Sequence, residues 1–471
     1  MISSSAVTEL FYTNVKEFLK SALQQERLSY FACTIKSSEE MSAVLANGRW
    51  HSKFPAQNGK TLATTVDFRT DKNLSAQLHF IGSDFEKFAK NFAAVEKLAC
   101  ALEHKTQVVK RGSYPKIPLA SPELLALLDS ENAFKALEDL VKSMDSEAAK
   151  IAHKNLIGRE IGASLAHLKK IYIDSAGNEA AEETAFCSIQ MSFSLTDTSE
   201  FAFDLTGFFP KEEDWKKVLL EATKNLQNVD VRKLVPVPQG FAVLLTPRAF
   251  ITLFDELVAP NLSVRTILDG TGAWEANNVH EVVLPNVTVH DDPHVPYSPF
   301  SSLFDVEGCP TKKVTILRDG VLEHPLFTSS LLKEFEDAHP EFVGRFDLTG
   351  HAESSDSTAP TNTYIEIKGN AALSIEELLG KYPHIAYINS LTGMSLDPLT
   401  GQFALDAEGV KIYENGEVRY STSLTLRGNF FEALRADGNW CGPKERYYYT
   451  WAPSLLTRGL DCVPKEMASH E

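Results

Sequence analysis

Apolar residues recur at helical spacing over residues 6–24, where Leu10, Phe11, Val15, Phe18, Leu19 and Leu23 fall on one stripe. The period then changes. Over residues 28–81 the pattern is that of strands. Leu74 to Phe80 alternates as a half-buried strand does, and Asn47-Gly48 and Asp71-Lys72-Asn73 mark turns. Residues 84–103 return to the helical period, with Phe85, Phe88, Phe92, Val95, Leu98, Ala99 and Leu102 on one side. The first unit, 1–107, therefore reads as helix, antiparallel sheet, helix.

Residues 108–122 carry three prolines and a basic cluster and read as a linker. Helical segments are expected over 122–150. Strands follow at 163–174, 185–193 and 200–208, with a turn at Ala176-Gly177-Asn178. A helix over 211–228 precedes Val235-Pro236-Val237-Pro238, a second boundary. The middle unit, 108–238, is thus α+β. The third unit, 239–471, opens with a buried strand at 241–245. Thr246 can cap a helix and Pro247 is tolerated at its first position. That helix, 247–258, buries Phe250, Leu253, Phe254 and Leu257 and stops at Pro260. The remainder is β-rich, a sheet or barrel, with successive strands over 385–428. Asp319-Gly320 and Asn415-Gly416 are hairpin turns, since both pairs tolerate positive φ. Glu307-Gly308 before Pro310 enforces another turn. The fold class is α+β throughout.

Composition narrows the function. A chain of 471 residues, 43% hydrophobic and 23% charged, is a multi-domain globular protein. No apolar run is long enough to span a bilayer, and Met1-Ile2-Ser3-Ser4-Ser5 has no signal-peptide character, so no membrane role is expected. Cys33, Cys100, Cys187, Cys309, Cys441 and Cys462 are scattered without a CxxC pair, which fits a reduced, cytoplasmic protein. A net charge of −17 weighs against binding by neutralisation of nucleic-acid phosphates.

Asn58-Gly59-Lys60-Thr61 imitates the end of a P-loop, but Phe54 stands where the first glycine is needed. His290, Asp291, Asp292 and His294 are residue types that bind zinc. Neighbours in an extended segment point to opposite faces, and Pro293 interrupts the run, so a turn-and-cap role is the better reading. Cys441 and Cys462 have no further ligands at a recognisable spacing. His351 reads as a hydrogen-bonded loop histidine before the polar loop 353–362. Tyr447-Tyr448-Tyr449 with Trp451 reads as a strand. Zinc peptidase signatures, HExxH or HExxxH, are absent; His280-Glu281 has no second histidine in reach.

Several segments together carry a resemblance. They are Asp291-Asp292-Pro293-His294, Pro299-Phe300, Phe304-Asp305-Val306-Glu307-Gly308 with Thr311, Arg318-Asp319-Gly320-Val321-Leu322 and Thr349-Gly350-His351-Ala352. Further on come Ser374-Ile375-Glu376-Glu377-Leu378-Leu379, Asp397-Pro398-Leu399-Thr400-Gly401-Gln402-Phe403, Glu414-Asn415-Gly416-Glu417 and Leu426-Arg427-Gly428-Asn429. In their order and spacing, residues 241–463 resemble the TldD/PmbA family, once called modulators of DNA gyrase, and most closely its PmbA (TldE) branch. Residues 178–230 are a looser match, and the first hundred residues match only in their helix–strands–helix plan.

The resemblance implies that helix 247–258 is the one that carries HExxxH in the catalytic branch. Asp255-Glu256 then stand in place of His-Glu, and Pro260 in place of the second histidine. The catalytic branch also takes a cysteine ligand near its C-terminus, a role not carried over to Cys441 or Cys462. No catalytic, cofactor-binding or metal-ligating residue is therefore assigned, and no cofactor is expected. The expected function is a non-catalytic partner of a TldD-like zinc-peptidase homologue, as heterodimer or homodimer, enclosing and presenting unfolded peptide. Two alternatives stand beside it. One is a peptidase with an unrecognised site around His290, Asp292, His294 and Cys441. The other is a gyrase-associated or nucleic-acid-associated modulator.

Overall fold

A computed structural model describes residues 4–24, 31–54, 61–70, 75–81, 85–99, 112–151, 156–196, 199–207, 211–226, 241–275, 280–354, 356–368, 374, 377–378, 381–407, 410–414, 417–420, 424–436 and 440–464. Residues Asn58-Gly59-Lys60 of the P-loop-like stretch, the turns at Asp71-Lys72-Asn73 and Asn415-Gly416, and the 235–238 boundary lie outside them.

Helix α1 (Ser4–Gln24), strands β1 (Phe31–Ala46), β2 (Arg49–Phe54), β3 (Thr61–Thr70) and β4 (Ser75–Ile81), and helix α2 (Phe85–Ala99) follow the expected order. Helices α3 (Pro122–Asp129) and α4 (Ala133–Ala148) come next. Strands β5 (Gly158–Asp174), β6 (Glu179–Thr196) and β7 (Ser199–Gly207) then lead to helix α5 (Glu212–Leu226). All seven strands form one sheet, in the order β4-β3-β1-β5-β6-β7, with β2 also on β1. β1 and β5 stay in register from Ala32 to Ala46. The expected division at residue 107 therefore runs through a single sheet, because periodicity reveals strands but not their distant partners. β5 and β6 also start earlier than their apolar alternation does. Their charged residues are held across the sheet, Lys170 to Glu182 at 2.6 Å and His167 to Glu183 at 2.7 Å.

Side chains alternate across a strand, so the two faces of this sheet can be read separately. One face is covered by helices. Cys33, Ile35 and Ile173 pack against Phe11, Val15 and Leu19 of α1 and Phe88 and Phe92 of α2. Farther along, Met41, Ala43, Ile161 and Leu165 meet Leu137, Val141 and Met144 of α4. The other face presents Ala32, Thr34, Lys170, Tyr172, Ala180 and Glu182. It receives a loop from the C-terminal half. Ala32, Tyr172 and Ala180 bury Phe304. Thr34 Oγ1 donates to Val306 O at 2.9 Å, Lys170 Nζ to Ser302 Oγ at 2.7 Å, and Leu303 N donates to Glu182 Oε2 at 2.6 Å.

The C-terminal half begins with β8 (Ala242–Leu245), α6 (Pro247–Leu257) and α7 (Val264–Leu268). Strands β9 (Val287–Asp291), β10 (Val314–Arg318) and β11 (Val321–Leu322), helix α8 (Ser329–Ala338) and strand β12 (Thr363–Ile367) follow. Then come β13 (His384–Ile388), β14 (Leu391–Asp397), β15 (Gln402–Ala407), β16 (Lys411–Glu414), β17 (Glu417–Tyr420) and β18 (Leu424–Asn429). Helix α9 (Phe430–Arg435) and strands β19 (Trp440–Tyr447), β20 (Thr450–Thr457) and β21 (Leu460–Pro464) complete it. Ten strands form one sheet, β11-β10-β9-β12-β20-β8-β13-β16-β17 with β19 on β20, and β14-β15-β18-β21 form a second. The strand-rich character read from the sequence holds.

Helix α6 is the apolar centre of this half. Thr246 Oγ1 accepts from Ala249 N at 3.3 Å and Pro247 opens the first turn, as its sequence requires. Ala249, Phe250, Ile251, Leu253, Phe254 and Leu257 are all buried, each large side chain stabilising by about 2–3 kcal/mol. At the Asp319-Gly320 hairpin both residues have positive φ, 49° and 84°, as the sequence predicts.

The loop docked on the first sheet depends on Gly308. Its φ is +69°, and a Cβ there would lie 2.2 Å from the Tyr172 ring. Gly308→Ala is expected to destabilise the fold by about 2–4 kcal/mol, by overpacking plus an αL penalty, read as a lowered urea midpoint. In a double-mutant cycle, a smaller Gly308→Ala loss in the Tyr172→Ala background would show that the ring is the main obstacle.

Candidate functional site

The motif segments from 291 to 363 converge on three buried carboxylates. Asp291 closes β9, and neither its side chain nor that of His351 has exposed surface. A carboxylate only accepts, so His351 Nε2 donates to Asp291 Oδ2, at 2.8 Å. Thr361 Oγ1 donates to the same oxygen at 2.5 Å. Asp291 Oδ1 accepts from Thr361 N at 2.8 Å and Thr363 Oγ1 at 3.3 Å. The second ring nitrogen, His351 Nδ1, meets Thr349 Oγ1 at 2.9 Å. Asp305 accepts from the N–H groups of Glu307 and Cys309, each at 2.9 Å, and of Ala352 at 3.0 Å. Glu307 reaches Ser329 N at 2.8 Å, at the start of α8. Asp291, His351, Asp305 and Glu307 bind loops together, and all four are buried.

The turn-and-cap reading of Asp291-Asp292-Pro293-His294 matches this geometry. Asp292 Oδ1 accepts from His294 N at 2.9 Å, closing an Asx turn, and Oδ2 faces Lys313 Nζ at 2.6 Å. His290 Nδ1 meets Thr315 Oγ1 at 3.0 Å, and His294 Nε2 meets Thr311 Oγ1 at 3.0 Å. Burial lowers the His294 pKa, disfavouring the charged ring. The set His290, Asp292, His294 and Cys441 is not gathered: each histidine has its own threonine, Asp292 has a lysine, and Cys441 lies in β19 opposite Leu455. Cys462 is in the other sheet, opposite Leu426. Burial pushes the Cys441 thiol up to about 11 and that of Cys462 to about 12, so neither is a ready thiolate. Among the described residues no three His, Cys, Asp or Glu side chains form a metal-binding group.

Two stretches differ from their sequence pattern. The polar loop 353–362 is in part a core element. Asn362 is fully buried, donating to Asp292 O at 3.0 Å and Ser301 Oγ at 2.9 Å and accepting from Ser298 Oγ at 2.5 Å. The tyrosine run is not one strand. Tyr447 ends β19, Tyr448 and Tyr449 form the turn with Tyr448 at φ +51°, and Trp451 belongs to β20.

That turn brings Tyr449 to α6. The Tyr449 hydroxyl donates a hydrogen bond to Asp255, the residue that the resemblance sets against the first histidine of HExxxH. Burial pushes the Asp255 carboxyl up to about 7, against the pull of the Tyr449 hydrogen bond and with the repulsion of Glu256. Burial and the neighbouring Asp255 raise the Tyr449 pKa as well. Helix α6 ends at Leu257, and Pro260 lies in the 3-10 turn that follows, Ala259–Leu262. This donor set does not fit zinc: it offers one carboxyl, pushed toward neutrality by burial and bonded to a phenol, with an exposed glutamate beside it. No local signal links residues so far apart, so the Asp255–Tyr449 contact was not legible in the sequence.

Residues 238–463 match the family model described as the PmbA/TldA metallopeptidase C-terminal domain. An uncharacterised protein of Methanocaldococcus jannaschii is 26% identical over 65% of this chain and 68% of its own length. Metalloprotease PmbA of Escherichia coli O157:H7 is 26% identical over 61% of each chain, so less than two thirds of that relative is spanned. The solved structure of TldE from Thermococcus kodakarensis superposes with a TM-score of 0.77, covering 96% of this chain and all of its own, at 18% identity. That likeness establishes the fold.

The Asp255 carboxyl gives a pH test. With its folded pKa near 7 and its unfolded value near 3.8, the folded state keeps a proton that the unfolded state loses in between. Stability from this group is therefore lost as pH rises from about 4 to about 7. Asp255→Asn, which keeps an acceptor for Tyr449, is expected to remove that slope. It should be more stable than the parent by about 1–3 kcal/mol at pH 8 and equal to it near pH 4, by urea unfolding.

Proposed function

The chain belongs to the TldD/PmbA family, and we propose that within it this protein is a non-catalytic, PmbA/TldE-like subunit that helps a zinc-bearing homologue enclose and present unfolded peptide. The observation that carries this reading is the end of α6. An HExxxH motif needs two histidines on one helical face, with a glutamate between them to activate water. Here Asp255 is engaged by Tyr449, and proline stands at the second position. A peptide-presenting role asks less of the chain. Strand β19 pairs only with β20 among the described residues, so its outer edge is open to an added strand. Main-chain hydrogen bonds along such an edge hold extended peptide with little demand on its sequence. The partner is a TldD-like homologue or a second copy of this chain, in the cytoplasm, where scattered thiols stay reduced.

The peptidase alternative finds little support in residues as separated as His290, His294 and Cys441, and a net charge of −17 does not favour a nucleic-acid role. The deciding experiment measures metal content and casein cleavage for this chain alone, for an HExxxH-bearing homologue alone, and for the mixture. Cleavage that is stronger in the mixture, with zinc only on the homologue, is the expected result. Stoichiometric zinc and cleavage by this chain alone would overturn the proposal.

A further inference from the structure

Five side chains stand in register across the outer face of the ten-stranded sheet. Thr315 pairs with His290, His290 with Tyr364, Tyr364 with Trp451, and Trp451 with Arg446. Tyr364 and Trp451 are stacked, with centroids 4.5 Å apart and planes 9° from parallel. The Arg446 guanidinium lies 4.9 Å from the Trp451 ring and 6.0 Å from that of Phe300. Its Nε donates to Tyr448 O at 2.7 Å, which fixes the fork on the hairpin.

Among the described residues Arg446, like Arg435 on Val283 O and Arg345 on His280, is held without an ion pair, unlike three other arginines. Arg159 holds Asp145 at 2.7 Å, Arg265 holds Glu334 at 2.9 Å, and Arg318 holds Glu323. Lys444, two residues from Arg446 on the same strand, holds Glu366 at 2.5 Å. Among the described residues Arg446 has no carboxylate partner; its contacts are two rings and one carbonyl. Partial desolvation lowers its pKa, with the nearby Tyr364 acting the other way. A guanidinium fixed by two rings and a carbonyl keeps its remaining N–H donors available to a planar anion.

The position defines which anion. Tyr447 and Thr450 close a two-residue hairpin, and pairs alternate along an antiparallel ladder between bonded and unbonded. Arg446 is in the next, unbonded pair, so its backbone N–H and C=O point to the open edge of β19. A peptide added there runs beside the guanidinium. Resting on the peptide-presenting reading above, we propose that Arg446, braced by Trp451 and Phe300, is a carboxylate receptor that selects extended peptides bearing a terminal or side-chain carboxylate.

The test uses the full chain and decapeptides of alternating Thr and Ser, each carrying an uncharged fluorophore on its N-terminus. One ends in a free carboxylate, one in an amide, and one is the amide with a single central Asp. Fluorescence anisotropy at low salt should show at least one carboxylate peptide binding about tenfold more tightly than the neutral amide. Which of the two gains identifies the source of the carboxylate. In Arg446→Gln the ratio should fall to about one. In Arg446→Lys, which keeps charge but not the planar fork, it should be intermediate. Equal affinities in the parent chain would overturn the assignment of Arg446 and leave the peptide-presenting reading standing. Absence of binding by all three peptides would overturn both.

Discussion

Three carboxylates taken out of water impose the strictest condition on this structure. An isolated buried carboxylate costs several kcal/mol, so Asp291, Asp305 and Glu307 are compatible with folding only if donors are brought to them. The donors come from four separate stretches: the Asp305–Cys309 turn itself, the Thr349–Ala352 turn, the Thr361–Thr363 segment and the first turn of α8. Removing any one stretch would leave a charge or an amide stranded. The family-like motifs of this region are thus mutual obligations between loops, and their polar residues are there to satisfy backbone and charge.

From that knot the rest of the molecule takes its positions. One side of it, Phe304 to Gly308, is seated on the seven-stranded sheet through Thr34, Tyr172 and Tyr114, whose hydroxyl donates to Gly308 O at 3.1 Å. The other side sets the start of β12, where Thr363 N donates to Tyr449 O at 2.9 Å. That bond places the β19–β20 turn, and so places Tyr449 against Asp255. A loop far from α6 in sequence thus fixes the groups at the end of that helix.

Much of the plan was legible from local pattern. The apolar stripe of α6, its Thr246-Pro247 start and the Asp319-Gly320 hairpin depend on neighbours in sequence, and they stand as read. His351 and the Asx turn at Asp292 also match expectation. What was not legible depends on distant pairing. The joining of β1 to β5, the burial of Asn362 and the meeting of Asp255 with Tyr449 join residues that carry no mark of one another. A polar residue in a long polar loop looks the same in sequence whether it faces water or closes a core.

The pairing of β1 with β5 also sets an order of events. β1 is 16 residues long, and among the described strands its other neighbours, β2 and β3, share a single edge. Its remaining edge, from Ala32 to Ala46, is covered only when residues 160–174 exist. During synthesis the chain must therefore carry that open strand through the whole of α2, α3 and α4, a long loop whose closure entropy is met before the pairing rewards it. The second half repeats the problem on a larger scale, since β8 waits for β20 near the other end of the chain. Such a chain folds late and is exposed while it does so.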